Sequence, residues 1–279
     1  MGIIYFNETF ETSYNHIQAN SVDLFWLDPP YFITGNKQQN QIFKDNDRGS
    51  WDRQWSSKQE YAEWLYSMLS LAFNQLKASG SLYICMSWQH SYLLHDALNK
   101  TGFIVQNRIT WKRDKGRGNK TNWKSMHEDI FFATKHKTDY TFNVNSVMVE
   151  KKVIAPYKND DGTPKDWWIN EFGEKTRLTY PGNLWTEFCV PYWSMHEVKS
   201  YAKTKKTPNN IFTKHNTQKP KDLVKKCLLA SSNENDLIVD YFSGSGTTAI
   251  AAKELNRNCI VFDIDSTCID ILKTRLENE

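Results

Sequence analysis

Apolar and polar positions along the chain form two kinds of pattern, short continuous apolar runs and stretches with a helical period. The runs Ile3–Phe6, Val22–Leu27 and 82–86 predict strands, and Val22–Leu27, which is apolar except at Asp23, is typical of a strand covered on both faces. Residues 59–76 repeat apolar side chains at every third or fourth position, which predicts a helix with one buried stripe. Gly80 is expected to break the chain before the strand at 82–86.

Residues 136–210 separate two regions of regular pattern. Before them we predict a helix at 91–100 that ends at Gly102, and strands at 104–111 and 130–133. Within 136–210 no period is sustained, and tryptophans and prolines stand among polar residues, so we expect an irregular insertion. The elements predicted after it are a helix at 220–230, a strand at 237–239, a helix at 245–255, a strand at 260–262 and a helix at 266–276. Strands alternating with helices predict an α/β fold whose parallel sheet carries helices on both faces.

Length and composition indicate one sizeable globular core. The chain has 279 residues, of which 39% are hydrophobic and 24% charged, as in soluble proteins. No apolar run approaches the roughly 20 residues of a membrane span, and the first residues lack the form of a secretory signal, so we expect a cytoplasmic protein without membrane contact. The five cysteines are scattered, which favours neither a disulfide framework nor a metal site.

Positive charge is concentrated locally. The net charge of +3 gives only a weak overall attraction to nucleic acid. Residues 112–124 hold six basic side chains against one acid, and Lys199, Lys203, Lys205 and Lys206 form a second group. These clusters predict phosphate contacts, although a pair of solvated loops explains them as well.

A glycine turn lies at the end of the predicted strand 237–239. There the segment from Asp240 to Thr248 contains Phe242, Gly244 and Gly246 and opens the next helix, so its backbone amides can approach a ligand closely. Asp263 follows the next strand, where a carboxylate can accept hydrogen bonds from both hydroxyls of a ribose. The turn therefore predicts a cofactor that contains a nucleoside. No lysine follows the second glycine, which argues against a triphosphate, and a tight turn without a ligand stays an alternative.

A rigid corner follows the strand Val22–Leu27. Pro29 and Pro30 fix two φ angles and remove two backbone donors, so the corner presents acceptors. The carboxylate of Asp28 and the carbonyl of Pro29 suit the two hydrogens of a ligand NH2 group, and Tyr31 offers a flat face on which a base can stack. The alternative is a proline-terminated strand with a surface aspartate and a core tyrosine.

Three segments together resemble the amino-methylating DNA methyltransferases. Asp28-Pro29-Pro30-Tyr31 resembles their catalytic motif, the loop 242–246 resembles their S-adenosylmethionine motif, and 215–220 is similar to their H-P-T-Q-K-P sequence with Asn216 in place of proline. The catalytic motif precedes the glycine motif, which is the order of the beta class. The resemblance implies a Rossmann-like, mostly parallel seven-stranded sheet with one antiparallel strand. It divides the chain into a catalytic half (1–135), a target-recognition region (136–210) and a cofactor-binding half (211–279).

The same resemblance assigns three sets of site residues. The catalytic set is Asp28, Pro29, Pro30 and Tyr31. The cofactor-binding set is Glu8, Gln218, Lys219, Asp240, Phe242, Gly244, Gly246, Thr247 and Asp263, and Glu8 matches the family pattern inexactly. The set expected on DNA phosphates is Lys112, Arg113, Lys115, Arg117 and Lys120. Bases of the target sequence would be read by the region 136–210.

The implied activity is methyl transfer from S-adenosylmethionine to N6 of adenine in DNA, as in restriction-modification systems. We expect an in-line displacement on a base flipped out of the duplex or presented on a single strand. An aspartate carboxylate is not basic enough to deprotonate a neutral arylamine, so Asp28 is expected to polarise the amine, which loses its proton after transfer. The expected partner is DNA that contains a target adenine, and we also consider a homodimer.

Three alternatives to adenine methylation remain open. The N4-cytosine branch usually begins the catalytic motif with serine, and protein-glutamine methyltransferases begin it with asparagine, so Asp28 disfavours both. A catalytically inactive nucleic-acid-binding module is the third alternative. The intact Asp28, Tyr31, Gly244 and Asp263 count against it.

Overall fold

The computed structural model describes residues 2–32, 54–113, 120–188 and 218–278. The strands are β1 Ile3–Phe6, β2 Val22–Leu27, β3 Leu76–Met86, β4 Ile104–Lys112, β5 His127–Thr134, β6 Val149–Lys152, β7 Trp168–Ile169, β8 Lys175–Thr179, β9 Leu184–Trp185, β10 Leu237–Asp240 and β11 Asn258–Phe262. The α-helices are α1 Lys58–Gln75, α2 Ser91–Thr101, α3 Lys221–Ser231, α4 Thr247–Glu254 and α5 Ser266–Asn278. With the exception of β3, the predicted elements begin and end within three residues of these bounds.

A mostly parallel sheet forms the centre of the molecule. Its strand order is β1-β11-β10-β2-β3-β5-β4-β9, and β5 runs antiparallel to both of its neighbours. The predicted α/β architecture with one antiparallel strand is therefore confirmed. The two-residue strand β9 pairs with β4 and adds an eighth strand to the seven that we expected. Since β10 pairs with β2, the N- and C-terminal parts of the chain share one sheet.

Strand β2 shows why the sheet carries helices on both faces. Phe25 and Leu27 pack into one apolar cluster with Tyr61 of α1, whereas Leu24 and Trp26 pack into a second cluster. Side chains of α3, α4 and α5 complete that second cluster. Successive side chains of a strand point to opposite faces, so a strand buried on both sides is apolar at consecutive positions, as β2 is from Leu24 to Leu27. The apolar run of β2 therefore reports its place in the middle of the sheet.

Gly80 lies inside strand β3, which corrects the prediction that it breaks the chain. The strand begins at Leu76, and its register against β2 shifts between Val22 and Leu24. A Cβ at Gly80 would lie 2.6 Å from Leu76 Cδ1 and 3.0 Å from the carbonyl oxygen of Asp23. Glycine therefore allows a close approach of two strands at an irregular register, and a strand interior with glycine has no sequence signal that distinguishes it from a turn.

The described part of 136–210 is more regular than predicted. Strands β6, β8 and β7 form a separate three-stranded antiparallel sheet in that order, and β9 joins the main sheet. These strands have two to five residues each, and most of their side chains are exposed. Short strands without a buried face produce no apolar alternation, which explains why these strands were not predicted from the sequence.

Four cysteines are free and buried, namely Cys85, Cys227, Cys259 and Cys268. Among the described residues, no helix combines the length and the apolar character that crossing a membrane requires.

Candidate active site

The two predicted motifs lie at the same edge of the sheet. Strands β2 and β10 are parallel neighbours, with Ile238 opposite Leu24 and Val239 opposite Phe25. The carboxyl ends of parallel strands meet at one edge, so the corner that begins at Asp28 and the glycine loop that follows β10 are adjacent.

The corner after β2 presents a carboxylate that two donors occupy. The Tyr31 hydroxyl donates to Asp28 Oδ1 at 2.6 Å, and the Lys219 ammonium donates to Oδ2 at 2.5 Å. Burial, together with the negative charges of Asp28 and Glu128, raises the pKa of Tyr31 well above its ordinary value, so the hydroxyl keeps the proton that it donates.

Hydrogen bonds fix the backbone of the corner. The Tyr61 hydroxyl donates to the carbonyl of Pro30 at 2.6 Å, and His90 Nδ1 lies 2.9 Å from the carbonyl oxygen of Tyr31. Within the described ranges, no donor is recorded on the carbonyl of Pro29. The carbonyl of Pro29 is therefore an available acceptor, and its predicted role toward an amine ligand stays a prediction.

Four alternating charges lie beneath the corner. Lys219 Nζ is 2.5 Å from Asp28 and 3.6 Å from Glu128, and Arg113 NH1 lies 2.5 Å from the other oxygen of Glu128. Burial disfavours the charged form of Lys219, but the carboxylates of Asp28 and Glu128 outweigh it and raise the pKa of Lys219. Buried charges are tolerated when each has an opposite partner, and here two cations balance two carboxylates.

The glycine loop is held by a carboxylate from the neighbouring strand. Gly244 and Gly246 both have positive φ angles, +50° and +80°, which other residues adopt at a cost. Asp263, directly after β11, accepts hydrogen bonds from the backbone N–H groups of Gly244 at 2.8 Å and Asp265 at 2.9 Å. Burial raises the pKa of Asp263 despite these bonds.

Asp240 lies beneath the same loop. Its carboxylate accepts hydrogen bonds from the backbone N–H of Phe242 at 2.9 Å and from the hydroxyl of Thr248 at 2.6 Å. Burial nevertheless raises the pKa of Asp240 to about 7, because both of these partners are uncharged and the nearby negative charges of Asp28 and Asp263 oppose ionisation.

Two consecutive residues connect the two motifs. Gln218 donates from Nε2 to Thr247 Oγ1 at 3.2 Å, on the side of the glycine loop. The next residue, Lys219, is the one that bonds Asp28 in the corner. This pair therefore links the corner and the loop through consecutive residues.

Glu8 lies near the loop without contacting it. Its carboxylate accepts a hydrogen bond from Thr12 at 2.6 Å and lies 3.0 Å from His16 Nε2. The preceding residue, Asn7, donates to the carbonyl of Asp263 at 2.9 Å. The end of β1 therefore belongs to the same edge of the sheet as the glycine loop.

The residues predicted on phosphates fall into three groups. Lys112 and Lys120 are exposed, as a phosphate contact requires. Arg113 is different, since its side chain is only 8% exposed, pairs with Glu128 and lies 4.3 Å from the ring of Trp111. We therefore assign Arg113 to the interior of the site, because its side chain is buried away from the surface that a phosphate would contact. The remaining predicted residues Lys115 and Arg117, the group Lys199, Lys203, Lys205 and Lys206, and His215 to Thr217 lie outside the described residues.

Glu128 is the functional candidate that the sequence did not reveal. It stands near the start of β5, 100 positions from Asp28 and two residues before the strand 130–133 that the apolar pattern predicted. In the sequence, the neighbouring His127 is a more obvious candidate for a functional residue than Glu128. Only the pairing of β5 with β3 and β4 brings Glu128 to the corner.

The glycine loop fits a nucleoside-containing cofactor. Ser243 Oγ is buried and, in the described part of the chain, has no hydrogen-bond partner. An unsatisfied hydroxyl at a ligand loop is the kind of group that a bound molecule satisfies. The residues that would hold such a cofactor are Asp263 for the ribose, Gly244 and Gly246 for close backbone approach, and Gln218 with Thr247 beside them.

The fold and the two edge motifs define an S-adenosylmethionine-dependent methyltransferase fold. The structure of M1.HpyAVI in complex with SAM covers 99% of this chain and 99% of its own at a TM-score of 0.56 and 20% identity. The PvuII DNA methyltransferase, specific for N4 of cytosine, covers 100% of this chain and 94% of its own at a TM-score of 0.62 and 15% identity.

Sequence comparison shows the family. The family described as DNA methylase, which unites N6 and N4 methyltransferases, matches residues 22–274, and the chain belongs to it. The Type II methyltransferase M.HpaI of Haemophilus parainfluenzae is 30% identical over 265 residues, which are 95% of this chain and 71% of that protein. The DNA adenine methyltransferase YhdJ of Escherichia coli (strain K12) is 30% identical over 267 residues, 94% of this chain and 78% of that protein.

Proposed function

We propose that this DNA methyltransferase transfers a methyl group from S-adenosylmethionine to N6 of adenine in DNA. The observation that carries the proposal is the pair Gln218–Lys219, whose side chains bond the glycine loop and the acceptor corner respectively. A cofactor held by the loop and an amine held by the corner would therefore meet. The relative named as an adenine methyltransferase favours the same base.

When bound, S-adenosylmethionine supplies an electrophilic methyl group. The corner supplies the acceptors for the amine, because Asp28 and the carbonyl of Pro29 can each take one amine hydrogen. Acceptors on both hydrogens favour a pyramidal nitrogen with an exposed lone pair, and a preformed corner does not reorganise as charge develops. Tyr31 provides the face on which the base stacks, and the hydrogen bond from its hydroxyl to Asp28 fixes the ring next to the acceptor.

The alternative product is N4-methylcytosine, because cytosine carries the same kind of amine. Radiolabelled S-adenosylmethionine, incubated with the enzyme and DNA and followed by nucleoside analysis, separates the alternatives. We expect label in N6-methyladenine, and Asp28→Ala serves as the inactive control. Label in N4-methylcytosine would overturn the base assignment, and unlabelled DNA would indicate a binding module without catalysis.

A basic face on the small sheet supports DNA as the substrate. Lys151 of β6 and Arg177 of β8 are direct cross-strand partners, and Lys175 lies two residues along the same strand on the same face. Like charges in directly opposed positions destabilise a sheet. On the other face, Lys152 forms an ion pair with Glu174 at 2.9 Å. Among the described residues, no ion pair is recorded for Lys151, Lys175 or Arg177.

Salt dependence tests this face. Each lost phosphate contact lowers the slope of log affinity against log salt by about 0.9. The variant Lys151→Gln/Arg177→Gln should therefore reduce the slope by nearly two and weaken cognate and unrelated DNA equally. Lys152→Gln, on the opposite face, is the matched control and should leave the slope unchanged. An unchanged slope in the double variant would exclude the face from DNA binding, and a loss confined to cognate DNA would indicate base reading instead.

A further inference from the structure

Both donors that occupy Asp28 have the same second acceptor. The Tyr31 hydroxyl is 2.6 Å from Asp28 Oδ1 and 3.5 Å from Glu128 Oε2. Lys219 Nζ is 2.5 Å from Asp28 Oδ2 and 3.6 Å from the same Glu128 oxygen. A movement of about 1 Å would bring either donor from Asp28 to within hydrogen-bond distance of Glu128.

Glu128 is held so that this oxygen faces the corner. Its other oxygen, Oε1, receives the guanidinium of Arg113 at 2.5 Å. Arg113 is itself fixed, because its backbone N–H donates to the carbonyl of Met126 at 2.7 Å and its guanidinium lies over the ring of Trp111. Arg113 therefore anchors one oxygen of Glu128 and leaves Oε2 directed at Tyr31 and Lys219.

The donors shared between Asp28 and Glu128 have a role in the proposed function. Asp28 is expected to accept a hydrogen from the target amine, yet both of its oxygens already accept hydrogen bonds, one of them from a cation. An ammonium bound to a carboxylate reduces its strength as an acceptor, because it withdraws charge from the oxygen. The carboxylate of Asp28 still has free lone pairs for the amine hydrogen, but it becomes a stronger acceptor when the ammonium of Lys219 moves away.

We propose that Glu128 is a positioning residue that receives the Lys219 ammonium and the Tyr31 hydroxyl from Asp28 as the amine of the target base binds. The inference rests on the proposed function, since it describes how Asp28 becomes available to an amine. No proton leaves the network, and each cation keeps a carboxylate partner, because Arg113 and Lys219 would then share Glu128 while the amine takes the place of Lys219 at Asp28. The exchange thus offers the amine an acceptor without leaving a buried cation unpaired.

The variant Glu128→Gln tests the exchange, because glutamine keeps the shape of the side chain and removes its charge. Lys219 should then remain on Asp28. We expect the single-turnover rate of methyl transfer to fall roughly tenfold, less than the hundredfold typical of removing a group that stabilises the transition state directly. The dissociation constants of S-adenosylmethionine and DNA should stay within about twofold of wild type, which separates positioning from binding.

Two further variants keep the test decisive. Glu128→Asp retains the charge and should recover part of the lost rate, whereas equal rates for the aspartate and glutamine variants would overturn the proposal. If Glu128→Gln fails to fold because it leaves Arg113 buried and unpaired, Glu128→Gln/Arg113→Met removes both charges together and should show the same tenfold loss. A single-turnover rate at the wild-type level in Glu128→Gln or in Glu128→Gln/Arg113→Met would also overturn the proposal.

The wild-type enzyme, assayed in parallel, distinguishes the two proposals. If it methylates no DNA, the proposed function fails and the exchange fails with it. If it methylates adenine or cytosine while the Glu128→Gln rate is unchanged, the exchange alone is wrong. The exposed Glu277→Gln in helix α5 provides the matched control for loss of one carboxylate and should behave as wild type.

Discussion

The corner after β2 and the loop after β10 each begin with an aspartate, and the two carboxylates have opposite surroundings. Asp28 accepts hydrogen bonds from a cation and a hydroxyl, with Glu128 and Arg113 close behind. Asp240 accepts only from uncharged partners, and burial raises its pKa to about 7. The cations around Asp28 balance a carboxylate that faces the proposed ligand site, whereas the buried carboxylate of Asp240 has only neutral partners and serves the architecture of its loop.

The difference extends to how the two regions are assembled. The corner collects charged groups that directly follow β2 and β4, one from β5, and Lys219 two residues before α3, so its chemistry depends on several parts of the chain. The loop is built from residues close in sequence plus Asp263 at the end of the adjacent strand. We therefore expect changes in the corner to affect turnover and changes in the loop to affect cofactor binding and stability.

The largest effect is expected from Asp28→Ala. The variant removes an acceptor at the reacting amine, and loss of preorganised electrostatic stabilisation typically costs about a hundredfold or more in rate. Turnover should fall by at least about that factor, while calorimetry should show cofactor affinity largely kept. Near-normal turnover, or an equal loss of cofactor affinity, would break the distinction between corner and loop.

The second prediction concerns the pH dependence of Asp240. Its ordinary pKa is 3.8 and its folded pKa is about 7, so the folded protein binds a proton between these values that the unfolded chain does not. The stability that this proton contributes is fully present below about pH 4 and is lost as pH rises towards 7, by at most about 1.4 kcal/mol per pH unit. Asp240→Asn resembles the protonated form at every pH, so it should remove this pH dependence of the free energy of unfolding.

Urea unfolding of both proteins from pH 5 to 8 measures the effect. The free energy of unfolding of the asparagine variant should gain on that of wild type as pH rises, and the difference should level off above pH 7. Parallel curves would mean that Asp240 is ionised at little cost and would remove the contrast with Asp28.

How far the sequence predicts each region follows from the same contrast. The fold and the loop were predictable, because the apolar run of β2, the spaced glycines and Asp263 carry their signals within short segments. Glu128 and the interior position of Arg113 were not, since they depend on the pairing of β4 with β5. Gly80 was misread for a related reason, because only the neighbouring strand explains a glycine within β3. Sequence patterns indicate local backbone requirements and burial, but they do not indicate which charged residues come together in the fold.

The smallest effect is expected from Asp263→Ala. The carboxylate holds the glycine loop through Gly244 and is the proposed partner of the ribose, and a hydrogen bond to a charged group contributes about 1.5–3 kcal/mol. The dissociation constant of S-adenosylmethionine should rise at least about tenfold, whereas the rate at saturating cofactor should fall by less than about threefold. Asp263→Asn keeps one acceptor for the loop and should lie between the alanine variant and wild type. A rate loss like that of Asp28→Ala with cofactor affinity intact would place Asp263 in the corner's chemistry, because a residue confined to the loop acts through binding alone.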